Sequence, residues 1–341
     1  AVERGSVLTS EMEVFLSLCP CRVIAITGSD GKTTTSTIIA TLLSAAGHRV
    51  HLGGNIGHPL LCELPDIRQE DIAVLELSSF QLHSMVCRPD VAVITNISPN
   101  HLDKHKDYQD YIDAKRSIFS YQHRDDVLVL NLNDGMSEYY RSSAPGTIRW
   151  FSHRQEPEQG VFCRNGIIYR LDGELLEEIM MAEEIRLPGE HNLLNYLAAF
   201  AAVEGLVSPQ ICREVAMSFA GVEHRLEHVR DLRGVEYIND SIASSPTRTA
   251  AGLRALKKPP IVIVGGYDKK IPFDGLGDDL CLYAKAVVLT GATSRKIRDA
   301  IEASRYYTES GLRLVLRDDF REAVEYASEI AEEGDIVLLS P

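Results

Sequence analysis

The chain has 341 residues, 45% apolar and 25% charged, with 49 acidic against 35 basic side chains and a net charge of −14. That is the profile of a soluble globular protein with room for about two domains, and its negative balance argues against nucleic acid or an anionic membrane as a partner. No apolar run reaches membrane-spanning length, no signal-peptide pattern opens the sequence, and seven scattered cysteines, with Cys19 and Cys21 the close pair, read as reduced thiols of a cytoplasmic protein.

In chain order, short aliphatic runs predict strands over 22–27, 72–77, 91–96, 127–131, 235–239, 261–264, 286–290 and 336–339. Between them, helical periodicity predicts helices over 33–46, 108–120, 192–204, 209–220, 247–256, 294–303 and 319–331. Continuous apolar strands alternating with helices give an α/β fold with mostly parallel sheets covered on both faces. Residues 150–186 break the pattern with short strand-like pieces, expected as an antiparallel flap on the first domain. A domain boundary is expected near Gly221, after two helices and before a fresh strand–helix series.

The stretch "ITGSDGKTTT" follows the first strand and opens the first long helix. A glycine turn with Lys-Thr at a helix N-terminus offers backbone N–H groups to phosphate, from Gly28, Ser29, Asp30 and Gly31 through Lys32, Thr33 and Thr34. The usual phosphate-loop pattern wants its first glycine where Ile26 stands; Gly28 shortens the loop without removing the cradle. Lys32 is placed to reach the terminal phosphates and the Thr33 hydroxyl to hold Mg²⁺. "GGNIG" permits close backbone approach to a ligand and presents Asn55, although a plain turn is equally consistent with it.

Glu76 lies inside the apolar strand of "VLELSSFQL", where an unpaired carboxylate is costly to bury. Beside a phosphate loop its natural partner is the nucleotide's metal. The loop after the next strand carries Asn96, Asn100, His101 and Asp103, and His101 alone is a weak signal. In "YQDYIDAKRSIF" the residues themselves make Lys115 an ordinary lysine whose head reaches water along an amphipathic helix.

Taken together, "AITGSDGKTTT", "GGNIG", "LELSSFQL", "NHLDKH", "YIDAKRSIF", "LPGEHNLLNYLAA", "HRLE", "YINDSIASSP" and "VGGYDKK" resemble, in order, the Mur ligase family, the ATP-dependent enzymes that build the peptide stem of peptidoglycan. The likeness is greatest to the D-glutamate-adding branch. It implies a central ATP-binding domain over 21–221 and a truncated Rossmann-like C-terminal domain over 222–341, with 1–20 the tail of a preceding domain. It implies ATP and two Mg²⁺ ions, with Thr33, Glu76, His101 and a carbamylated Lys115 as metal ligands, and Lys32, His101 and Lys115 as the catalytic set. Asn192, Asn195, Arg225 and Asp240 are implied to meet ATP, and Asn55, Gln81, Ser244 and Lys269 the substrates. The activity implied is ligation of D-glutamate to UDP-N-acetylmuramoyl-L-alanine through an acyl phosphate, by a cytoplasmic monomer serving cell-wall biogenesis, cell shape and division.

Against this pattern, Ile242 stands where related members carry lysine, with Ser244 where they carry threonine. The sequence opens on Ala1 and ends on a strand, so it is expected to be a piece of a longer protein. Such a piece is expected to bind ATP and Mg²⁺ but to ligate D-glutamate negligibly, because remote binding energy helps position the reacting carboxylate. The rival readings are another Mur-type or folylpolyglutamate-type ligase, a non-catalytic NTP-binding switch, and a phosphotransferase.

Overall fold

The computed structural model describes residues 9–56, 59–98, 105–222, 224–243, 245–268 and 271–341. The chain divides into two compact units, Ala1–Phe219 and Ala220–Pro341.

In the first unit α1 (Glu11–Leu18) precedes β1 (Arg22–Thr27), α2 (Lys32–Ala45), β2 (Val50–Gly54), β3 (Ile72–Glu76), α3 (Ser79–Ser84), β4 (Val91–Ile94) and α4 (Tyr108–Arg116). Then come β5 (Val127–Asn131), α5 (Ser137–Arg141), β6 (Thr147–Ser152), β7 (Gly160–Arg164), β8 (Ile167–Asp172), β9 (Leu175–Met181), α6 (Glu190–Ala202) and α7 (Pro209–Ser218). The strands form one sheet in the order β2-β3-β1-β4-β5-β6-β7-β8-β9. It is parallel from β2 to β7, and the last two pairings are antiparallel.

Each central strand is apolar on both faces because helices cover both. Ile24 and Ile26 of β1 pack with Ile38, Leu42 and Leu43 of α2 and with Tyr196 and Phe200 of α6. Val23 and Ala25, pointing the other way, join Met12 and Phe15 of α1, Ile112 of α4, and Phe119. Ile26 pairs with Glu76 and Thr27 with Ile94, so β1, β3 and β4 end together and their following loops leave the same edge of the sheet. That edge is where an open parallel sheet places its ligand.

The second unit runs β10 (Glu227–Leu232), β11 (Val235–Asn239), α8 (Pro246–Ala255), β12 (Ile261–Val264), α9 (Asp274–Tyr283) and β13 (Ala286–Leu289). It continues through α10 (Ser294–Ala303), α11 (Tyr307–Ser310), β14 (Arg313–Leu316), α12 (Phe320–Ile330) and β15 (Ile336–Leu339). Its sheet has the order β10-β11-β15-β12-β13-β14, parallel except at β10–β11. Val262 and Val264 face one apolar cluster, and Ile261 and Ile263 the other.

Residues 150–186 are attached to the first unit, as expected, with antiparallel β8 and β9, but they continue its main sheet. Trp150 belongs to β6, β7 adds to it in parallel, and β8 and β9 extend the same sheet. β8 and β9 are half-exposed and rich in charge, and the buried Ile168, Ile179 and Met180 tie them to the core. Residues 11–18, read from the sequence as a tail, form α1, whose Phe15 is fully buried. Gly160 makes the junction: with φ +127 it lies so close to Trp150 that an added Cβ would sit 1.9 Å from that residue's carbonyl oxygen. Gly160→Ala is therefore expected to cost about 2–4 kcal/mol by urea unfolding. Gly166→Ala, in the β7–β8 turn with φ +79 but open space around it, is expected to cost about 1 kcal/mol.

Candidate functional site

The loop after β1 is shaped by two glycines. Gly28 has φ +148, and a Cβ there would lie 1.9 Å from Thr95 Oγ1; Gly31 has φ +80, and its Cβ would lie 2.3 Å from Asn195 Oδ1. Only glycine fits either place. The loop is held from the β4 side. Ser29 N–H donates to the Asn96 carbonyl at 2.9 Å and Asp30 N–H to Asn96 Oδ1 at 3.0 Å. Thr95 Oγ1 and Asn96 Nδ2 donate back to the Asp30 carbonyl at 2.6 and 3.0 Å. Ser29 Oγ accepts from Ser98 N–H at 2.8 Å and lies 2.8 Å from the Tyr111 hydroxyl of α4. These contacts hold the turn, and α2 starts at its end with no side chain capping Gly31. A helix N-terminus in this setting favours an anion.

Two lysines meet on the inner side of the loop. Lys32 Nζ donates to the carbonyls of Gly28 and Ser29 at 2.9 and 3.0 Å. Lys115 Nζ, on α4, donates to the same Gly28 carbonyl at 2.7 Å and lies 4.7 Å from the centre of the Tyr111 ring. Lys115 is 1% exposed, so the water-reaching lysine expected from its helix alone is not what folds. Burial, and then the Lys32 charge, push its pKa well below the ordinary lysine value.

Glu76 is 2% exposed at the end of β3. One of its carboxylate oxygens accepts from Thr33 Oγ1 at 2.7 Å and the other from Asn55 Nδ2 at 3.0 Å. A hydroxyl and a buried carboxylate at the mouth of a phosphate cradle are the hard oxygen donors that Mg²⁺ takes, so these residues fit the ion. Thr34 is buried in the first turn of α2. Asn195 accepts from Thr35 Oγ1 at 3.3 Å and donates to Asn192 at 3.4 Å, while Asn192 Nδ2 donates to the Pro188 carbonyl at 2.8 Å. Both asparagines therefore sit at the start of α6, against the loop. Gln81 is committed to a capping box: its Oε1 accepts from Ser78 N–H and Oγ, both at 2.9 Å, at the start of α3. His101, Ser244 and Lys269 lie outside the described residues.

In the second unit Arg225 N–H donates to the Val222 carbonyl at 3.1 Å. Asp240 is 3% exposed and accepts from Leu226 N–H at 3.1 Å and Ser340 Oγ at 3.3 Å. Burial raises its pKa to about 6, more than those two hydrogen bonds lower it.

Asn96 and Tyr111 were not singled out from the sequence as site residues. Tyr111 was findable: four residues before Lys115, it shares that lysine's helix face. Asn96 was legible only as one of the polar residues of its loop, because its partners Ser29 and Asp30 are distant in sequence.

A shortened phosphate loop on the edge of a parallel sheet, with a second α/β unit following, defines a nucleotide-binding α/β protein. Two family descriptions cover nearly all of it: the Mur ligase middle domain matches residues 26–203, and the Mur ligase glutamate ligase domain matches 224–341. The UDP-N-acetylmuramoylalanine–D-glutamate ligases of Acetivibrio thermocellus and Clostridium beijerinckii are each 48% identical to it over 343 residues, spanning 100% of this chain and 74% of theirs. A crystal structure of MurF from Acinetobacter baumannii superimposes with a TM-score of 0.71 at 21% identity, over 95% of this chain and 74% of that one. The chain belongs to the Mur ligase family.

Asp240 yields a pH-dependent stability. Its folded pKa of about 6 lies above the ordinary 3.8, so its neutral form is the one the fold favours. Stability is fully present below pH 3.8 and is lost as the pH rises through about 6. Asp240→Asn, which keeps the acceptor for Leu226, is expected to gain about 1–3 kcal/mol at pH 7.5. In denaturant titrations across pH, that gain vanishes near the acid end.

Proposed function

We propose that the chain is an ATP-dependent ligase joining D-glutamate to UDP-N-acetylmuramoyl-L-alanine, in cytoplasmic peptidoglycan synthesis. The 48% identity to ligases of that name supports the substrate pair. The observation that carries a ligase over an NTP-driven switch is Lys115, a second lysine buried at the loop beside Lys32, which a switch has no use for.

In this reading the backbone of 28–31 and the N-terminus of α2 hold the phosphates, and Lys32 neutralises charge developing on the γ-phosphate. Thr33 and Glu76, with His101, hold Mg²⁺, which when bound polarises the phosphoryl oxygens. Asn192 and Asn195 serve the adenine side, Arg225 and Asp240 are nucleotide ligands, and Asn55 and Gln81 orient the muramoyl substrate. The alanyl carboxylate attacks the γ-phosphorus, the bond to the bridging oxygen breaks and ADP leaves, giving an acyl phosphate. The D-glutamate amine, with Lys269 and Ser244 beside it, attacks the acyl carbon and phosphate leaves. A free carboxylate is too poor an acylating agent to skip the first step.

Lys115 is carbamylated in this scheme. Carbamate forms only from a neutral amine, and burial beside Lys32 favours that form. The product is an anion, which satisfies two electrostatic demands at once by facing Lys32 and supplying oxygen donors to a second Mg²⁺. The protein acts as a monomer, and its negative charge keeps nucleic acid and membrane off. Among the described residues no helix is long and apolar enough to cross a membrane.

Calorimetry tests the nucleotide half on this chain: Lys32→Ala is expected to lose ATP–Mg²⁺ binding by roughly 100-fold or more with its melting unchanged. Equal affinities would overturn the loop assignment. Phosphate release by the complete reading frame tests the ligation half, using the alanyl nucleotide sugar and a panel of amino acids. Release is expected with D-glutamate and not with L-glutamate, glycine or water alone. Intact mass under bicarbonate should show one added CO₂ that is absent from Lys115→Ala, and that variant should lose about 10²–10³-fold in turnover and partly recover with a small added carboxylate.

A further inference from the structure

Next to the lysine helix lies a second set of metal-type donors. Asp110 on α4 accepts from His83 Nε2 through one carboxylate oxygen at 3.1 Å, and the other lies 2.9 Å from His105 Nδ1. The three donor atoms fall within 4.8 Å of one another. In a tetrahedral site with bonds of about 2.0–2.2 Å, neighbouring donors stand about 3.3 Å apart, so turning the two imidazoles toward one carboxylate oxygen would admit an ion.

His105 is already held as a metal-binding imidazole is held. Its far nitrogen, Nε2, lies 2.9 Å from Ser79 Oγ, which fixes the ring and leaves Nδ1 facing Asp110. The Phe80 ring stacks on it at 5.2 Å and Tyr111 meets it edge-on at 5.2 Å. Asp110 Oδ2 also accepts from Lys106 N–H at 3.2 Å, which steadies the carboxylate. His105 is buried, while the His83 side chain is 54% exposed, so an ion has a way in from solvent.

We propose that His83, His105 and Asp110 form a transition-metal site for zinc(II) or a similar borderline divalent cation, with its fourth position open, tying α3 to α4. Two imidazoles and one carboxylate select such an ion over Mg²⁺, which takes oxygen donors. The site is separate from the oxygen donors Thr33 and Glu76. Its consequence is mechanical: α3 follows the strand that carries Glu76, and α4 carries Tyr111 and Lys115. A bound ion would pin the lysine helix beside the loop that Tyr111 touches through Ser29.

The chain is first stripped with a chelator and then titrated with Co²⁺ in excess Mg²⁺, with visible absorption recorded. One Co²⁺ per chain with a strong tetrahedral d–d band is expected, displaced by Zn²⁺, and Zn²⁺ alone should raise the melting temperature. His83→Ala, at an exposed position, should melt like the parent without metal yet lose both the band and the Zn²⁺-induced rise. Glu76→Gln should keep both. If His83→Ala does not fold, His83→Gln carries the same comparison. No tetrahedral band, a band that survives loss of the His83 imidazole, or a band that disappears in Glu76→Gln would each overturn the proposal.

Discussion

One carbonyl oxygen receives two lysine side chains. Lys32 and Lys115 both donate to Gly28, at 2.9 and 2.7 Å, in a place where Lys115 is almost wholly buried. Two ammonium charges that close together in a low-dielectric interior repel strongly, and one carbonyl dipole cannot offset them. The arrangement therefore favours a neutral amine at Lys115 and an anion nearby. In the proposed function that anion is the nucleotide, and the neutral amine is the form from which the proposed carbamate is made.

The rest of the first unit supports that oxygen. Gly28 has no room for a side chain because Thr95 occupies the space. Asn96 uses its backbone and side chain to hold Ser29 and Asp30, and Tyr111 braces Ser29 from α4. Each contact comes from an element leaving the same edge of the sheet. Parallel pairing of β1 with β3 and β4 places those elements side by side, and two apolar faces hold the sheet between helix layers. Backbone donors held in place by such contacts act at developing charge without a cost of reorganisation.

Glu76 and Asp240 show two solutions to a buried carboxylate. Glu76 is partnered by the Thr33 hydroxyl and the Asn55 amide at the edge of a phosphate cradle. Asp240 has a backbone N–H and a serine hydroxyl, and burial still outweighs them, leaving its carboxyl readily protonated near pH 6. The first is the kind of site a cation completes. The second is held at the expense of stability at neutral pH.

Much of this was legible in the sequence. Aliphatic runs gave the central strands, because a strand buried on both faces has a composition no exposed segment shares. The glycine turn with Lys32 and Thr33 gave the cradle, and Glu76 stood out as a charge inside an apolar run. Where periodicity was short it failed: α1 is eight residues with two buried side chains. What the sequence by itself determined was therefore every feature carried by near neighbours along the chain. Only the tertiary structure decided where Lys115 points, that Asn96 holds the loop, and that His83 and His105 share one carboxylate. Helical spacing says which face a residue occupies but not what that face is pressed against, and burial, which turned a routine lysine into the second amine at Gly28, is a property of the packed molecule.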